Sequence, residues 1–327
     1  MNFSQIYKLT PQMQIYNKLR FNWKPFIMFM QESKFRSEIV NTDDFGLRFN
    51  NQKITKLIFD RENEPEKKSG AIIGSSAVFG VGCSKDSLTI PSLLSENTEY
   101  NYFNLGVKAY CGFQEIILFN SLINNLKKIE QIVIFSGVND FFMSRYINNY
   151  DKILGPMFYT NQFNDSMAIG VKQQLLNRFY NLFSKSKPGF IDLKNNLNQN
   201  IFEIIKRNLY FWANIKNGMN IKLYFFLQPF ANWCKRELSK EEKVIFDEYD
   251  KNNNIRPNQI LKTMNLDIYD EYKFFLNETC KELNIDFFDC NEFLSSEEYN
   301  NKWLFVDRIH LTDLGYKVMS QFIKSKI

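Results

Sequence analysis

The period of apolar and polar positions changes repeatedly along the chain. Residues 71–73 and 131–136 are short, continuous apolar runs, the pattern of strands buried on both faces. Residues 100–105, 221–227 and 285–288 give three more strands by the same reasoning. Helical spacing falls between them. Ile116, Phe119, Leu122, Ile123 and Leu126 form one face over residues 113–126. Residues 90–94 carry a proline in a first helical turn, and residues 260–283 are helical throughout. A last helix is expected after Thr312 as its cap, burying Leu314, Val318 and Phe322. Strands alternating with helices predict a parallel sheet covered on both faces, with strand order 2-1-3-4-5.

Two regions depart from this alternation. Residues 1–68 read as an accessory region before a main domain at 69–327. Residues 7–30 are aromatic and basic with little period, and turn chemistry at Asn41-Thr42-Asp43-Asp44-Phe45-Gly46 predicts a β-hairpin joining 39–40 to 47–49. Residues 61–70 read as a loop. Residues 141–217 contain no core strand and read as an inserted helical cap, with helices expected at 171–183 and 198–212. Its Phe141, Phe142, Tyr146, Tyr150, Phe158 and Tyr159, with Asn148, Asn149 and Asn161 among them, fit the wall of a sugar pocket and fit a hydrophobic core equally well.

Composition narrows the classes. The 327 residues are 44% hydrophobic with 33 Phe, enough for a sizeable core. The net charge of +5 comes from Lys and Glu interspersed, so a solvated surface is expected and no nucleic-acid partner. Five widely spaced cysteines without a C-x-x-C pair fit neither a disulfide framework nor a zinc site and favour a reducing compartment. A single histidine excludes a multi-histidine metal site, and neither a metal nor another cofactor is expected. No apolar run has transmembrane length and no signal-peptide pattern opens the chain. The expectation is a cytoplasmic protein without stable membrane insertion.

In an open parallel sheet the ligand lies at the carboxyl ends of the strands. Ser76 follows the first strand in a tight small-residue turn, where backbone N–H groups can point at its oxygen. A Gly/Ser turn without chemistry has the same local pattern. The sole histidine, His310, lies just before the last helix, three residues after Asp307. A serine hydroxyl needs a base within hydrogen-bond reach. His310 can take the proton, and Asp307 can orient the ring.

These segments together resemble the SGNH, or GDSL, hydrolase family. Gly74-Ser75-Ser76-Ala77-Val78-Phe79-Gly80 is similar to its first block, Asn104-Leu105-Gly106 to its second, Gly137-Val138-Asn139-Asp140 to its third and Asp307-Arg308-Ile309-His310 to its last. The four occur in family order and cover about residues 70–140 and 300–327. Residues 40–48 and 89–94 further resemble a subgroup found among bacterial surface-polysaccharide genes. The resemblance implies a flavodoxin-like three-layer α/β/α sandwich with a five-stranded parallel sheet. It implies a triad of Ser76, His310 and Asp307, with an oxyanion held by the Ser76 N–H, a second-block N–H and the Asn139 side chain. That second donor is expected at Ala109, where the family usually has glycine, with Gly106 as the alternative. Ser75 stands where the family has aspartate. The implied activity is a serine esterase that removes an acyl group, an O-acetyl foremost, from a carbohydrate. An O-acyltransferase on a glycan or sugar precursor would use the same triad, and a non-catalytic glycan-binding protein could keep the fold.

Overall fold

A computed structural model describes residues 4–50, 68–126, 129–146, 155, 157–167, 199–251 and 264–327. Two short strands, β1 (Phe21–Lys24) and β2 (Met28–Gln31), pair antiparallel near the start. The main sheet contains β3 (Lys68–Gly74), β4 (Tyr100–Gly106), β5 (Ile129–Ser136), β6 (Lys222–Leu227) and β7 (Asp286–Asp289). Its spatial order is β4-β3-β5-β6-β7 and every neighbouring pair is parallel. This is the 2-1-3-4-5 order read from the sequence.

The apolar runs face two ways because side chains alternate along a strand. Ile72, Val133, Phe135 and Phe226 pack on one side with Ile90 and Leu94 and with Val318, Met319 and Ile323. Ala71, Ile73, Ile132, Ile134 and Phe225 pack on the other with Phe119, Leu209, Trp212 and Tyr272. The result is three layers. Phe226 is fully buried between strands and helices, which for a side chain of that size stabilises by roughly 1.5–3 kcal/mol. The helix Ile90–Asn97 starts with Pro91 in its first turn and Thr89 accepting from the Ser92 N–H, as its sequence predicts.

Three readings need correction. The early hairpin is β1–β2 and not 39–49. In the latter stretch one antiparallel bridge forms, Thr42 with Arg48, because Asp43 Oδ1 takes the N–H groups of Phe45 and Leu47 and closes a compact turn. The first core strand begins at Lys68, inside the segment read as a loop, where Lys68–Gly74 pairs fully with β4. In the last helix, Asp313–Lys324, Thr312 caps as expected, but Leu314 is 44% exposed. Gly315 is the inward position there, since a Cβ on it would meet the Leu304 carbonyl at 2.4 Å, and the buried stripe continues through Tyr316, Met319 and Ile323. In the insertion, Phe141 and Phe142 are core, Phe141 stacking on Tyr272 with centroids 4.5 Å apart. The helix Gln199–Met219 corresponds to the one expected at 198–212. The helix expected at 171–183, together with Asn148, Asn149 and Tyr150, lies outside the described residues. Among the described residues no helix is long and apolar enough to cross a membrane, and no group of three or more His, Cys, Asp or Glu could hold a metal ion.

Candidate active site

The strand order changes direction between β3 and β5, and the loops after those strands flank the crevice there. Ser76 opens a four-residue helical turn, Ser76–Phe79, directly after β3. Gly80, at φ 86, ends the turn in the left-handed region, where a residue with a Cβ is strained. The Gly80 and Val81 N–H groups both donate to the Ser76 carbonyl at 3.0 Å, which holds the turn closed. The Ser76 N–H is the first of that turn and so has no partner within it.

His310 arrives from the far end of the chain. Its backbone is set by a tight loop, with the Val306 N–H donating to the His310 carbonyl at 2.9 Å and Phe305 bridging to Leu311. His310 Nε2 lies 2.8 Å from Ser76 Oγ, and His310 Nδ1 lies 2.7 Å from Asp307 Oδ2. Asp307 Oδ1 is occupied separately by the Ile309 and His310 N–H groups at 2.8 and 2.7 Å. One carboxylate oxygen therefore shapes the loop while the other faces the ring. Burial alone would raise the Asp307 carboxyl, but the His310 charge and these three hydrogen bonds outweigh it and hold it below the ordinary carboxylate value. Two further ties place the loop. The Ala231 N–H donates to the Arg308 carbonyl at 2.9 Å, and Arg308 reaches Asn232 and Asp250 at 2.7 and 2.9 Å.

The Asn139 side chain, 5% exposed, donates through Nδ2 to the Tyr110 carbonyl at 2.7 Å. An amide nitrogen carries two protons, so one remains for another acceptor. Asp140, the next residue, accepts the Gly112 N–H at 2.8 Å. The helix start after β5 is thus pinned at two points to the loop after β4. Of the two second-block candidates, Gly106 has already spent its N–H on Asn104 Oδ1 at 3.0 Å. Its role is close packing, because a Cβ there would lie 2.1 Å from the Phe79 nitrogen. The Ala109 N–H donates to no acceptor among the described residues. Ala109 sits at φ 64, the left-handed conformation that glycine adopts without strain.

Behind these loops lies a second acidic pair. Burial pushes the Glu115 carboxyl up to about 8, helped by Asp140, and Glu115 Oε1 accepts from Ser136 Oγ at 2.7 Å. Burial pushes Asp140 up to about 6 against the pull of the Gly112 N–H. Asp140 was visible only as the last letter of the third block, and Glu115 gave no signal beyond a polar residue on an apolar helix. All five cysteines are buried free thiols. Burial raises Cys83, beside the nucleophile turn, far above the thiol range.

In strand order and in the placement of its four motif loops, the chain resembles the SGNH hydrolases. No family model matches the sequence, and no curated protein matches it either. Solved structures are similar to it. An acetyl xylan esterase is 11% identical over 79% of this chain and 99% of its own, with a TM-score of 0.43. The lipase/acylhydrolase from Enterococcus faecalis is 14% identical over 80% of this chain and 95% of its own, with a TM-score of 0.44. A two-domain esterase active on acetylated mannans is 10% identical, covering 80% of this chain and 48% of its own, with a TM-score of 0.40.

Proposed function

We infer that the protein is an SGNH-type serine esterase that hydrolyses an acyl ester, foremost an O-acetyl group, on a carbohydrate. The observation that carries this reading is the continuous relay from Ser76 Oγ through His310 to Asp307, at 2.8 and 2.7 Å. With Nδ1–H donated to Asp307, Nε2 is the lone-pair nitrogen facing the hydroxyl, which is the tautomer a general base needs. In the reading, Ser76 Oγ attacks the ester carbonyl as its proton passes to His310 Nε2. Asp307 stabilises the imidazolium. The Ser76 N–H, the Ala109 N–H and the second Asn139 Nδ2 proton bind the oxyanion. His310 then protonates the leaving sugar hydroxyl, and the same ring activates water to release the acyl group from Ser76.

The sugar side of the reading draws support from a run of rings beside the Ala109 loop. Tyr110 meets Phe29 edge-on at 5.5 Å, Phe29 meets Phe21 and Tyr159 at 4.6 and 5.7 Å, and Tyr159 is 38% exposed. Phe29 and Tyr110 are fully buried, so Tyr159 is the exposed ring of this run, and an exposed aromatic face suits a sugar ring. Five buried free thiols support a reducing compartment.

The test is to treat the protein with a fluorophosphonate, map the adduct, and assay acetate release from acetylated xylan and mannan. Labelling at Ser76 with acetate release is the expected result. Labelling with acetyl transfer to an added sugar hydroxyl, and no free acetate, would make it a transferase. Absence of labelling would overturn the enzymatic reading.

A further inference from the structure

We propose that the N-terminal segment is a working part of this site, with Gln31 and Arg48 as positioning residues that fix the two loops around the oxyanion. The proposal rests on the esterase reading above.

The Ala109 loop is held from both sides by residues 16–31. The Lys108 N–H donates to Gln31 Oε1 at 3.0 Å, and Lys108 Nζ donates to the Tyr16 carbonyl at 2.8 Å. On the other side the Tyr110 hydroxyl donates to the Phe29 carbonyl at 2.6 Å. Ala109 lies between, at φ 64. A residue with a Cβ leaves that conformation unless its surroundings hold it there. Gln31 is fully buried, so its Oε1 acts on this peptide and not on solvent.

The nucleophile turn is held in the same way from its far end. The Arg48 side chain is fully buried. Its Nη1 shares two protons among the Phe79 and Gly80 carbonyls, at 3.0 and 2.8 Å, and the Tyr16 hydroxyl at 2.9 Å. Nε donates to Asp86 at 2.7 Å, and Nη2 to the Ile39 carbonyl at 2.7 Å. Gly80 passes this restraint on directly, since its N–H donates to the Ser76 carbonyl. A planar guanidinium can hold two consecutive carbonyls and a carboxylate at once, whereas an ammonium cannot match that fork.

The deciding variants are Gln31→Met, which keeps the volume and removes the acceptor, and Gln31→Glu, which restores an acceptor oxygen. Activity on p-nitrophenyl acetate is measured per fluorophosphonate-labelled site, so unfolded molecules do not count. Gln31→Met should lower kcat about tenfold with KM nearly unchanged, and amide exchange over residues 105–112 should quicken. Gln31→Glu should recover most of the turnover. Arg48→Lys should slow fluorophosphonate labelling by a similar factor. If Gln31→Met does not fold, Lys108→Met, which removes a part-buried tie to the same loop, should still lower kcat several-fold. Wild-type kcat in Gln31→Met, or in Lys108→Met where that variant decides, would overturn the proposal and leave the esterase reading standing. An equal loss in Gln31→Met and Gln31→Glu would do the same. A wild-type protein that takes no label at Ser76 would overturn the esterase reading, and the proposal with it.

Discussion

Two sets of carboxyl groups stand behind one edge of the sheet, and their surroundings drive them in opposite directions. Asp307 faces His310 and is held below the usual carboxylate value. Glu115 accepts from Ser136 and feels the Asp140 charge, Asp140 accepts from Gly112, and burial raises the two to about 8 and about 6. The residue types are alike, and the difference lies in the partner. A group next to a prospective cation stays charged and can answer a charge that forms during the reaction. Buried without a cation, Glu115 keeps its proton to higher pH than a free carboxyl, and the pair serves as hydrogen-bonding scaffold, Glu115 to Ser136 and Asp140 to Gly112.

The largest effect is expected for Asp307→Asn, which keeps the shape and removes the charge. Turnover is expected to fall by roughly 10⁴ with the fold intact, read from kcat and circular dichroism. A variant with near wild-type turnover would show that the charge at Asp307 has no part in the reaction. Next in size is Asn139→Ala. Loss of its second amide proton should lower kcat by about 10²–10³ with little change in KM. A fall confined to KM would leave Asn139 as a tie to Tyr110 alone.

Glu115→Gln probes the scaffold side and should act on stability instead of turnover. The sign follows from the raised values. The folded state keeps the Glu115 proton up to about pH 8, whereas the unfolded chain releases it near the ordinary glutamate value of 4.5. Its contribution is complete below the unfolded value and is lost as pH rises through the folded one. The wild-type melting midpoint should therefore drop further than that of Glu115→Gln, on the order of 5 °C, between about pH 6 and about pH 9. Parallel curves would mean that Glu115 is ionised throughout. The smallest effect is expected for Ala109→Gly. The N–H is retained and the strain at φ 64 is relieved, while the unfolded chain gains freedom, so activity should remain within about threefold.

The sheet was legible because its strands are buried on both faces: Ile132 to Phe135 admits no other reading once flanked by helical periods. Three of the four motif segments were legible because they close or directly follow β3, β4 and β5 at the same edge, whereas the Asp307–His310 loop was legible by the sole histidine it carries. The β1–β2 hairpin was not. All four residues of Met28–Gln31 are buried, so no alternation marks the strand. Its turn uses Phe26 and Met28 at φ 68 in place of glycine or asparagine, so no turn chemistry marks it either. Leu314 was misplaced because a stripe at 314, 318 and 322 is regular, yet only Val318 and Phe322 of it pack on the core beside Tyr316, Met319 and Ile323. Only the neighbour above Gly315 fixes the rotation of that helix. Arg48 closes the stretch 40–48 that resembles the subgroup, but its hydrogen bonds to Tyr16, Phe79, Gly80 and Asp86 exist only once the chain has closed.

Ser76 and His310 hydrogen-bond across 234 positions of sequence. During synthesis the hydroxyl leaves the ribosome long before its base. All of β3 to β7 can be laid down with Ser76 in place and chemically idle. The relay closes only when the last helix docks, through Asp313 onto Ser84 and the Tyr316 hydroxyl onto the Val81 carbonyl at 2.8 Å. A nascent or nicked chain lacking that final segment would carry the Ser76 hydroxyl without the base that faces it.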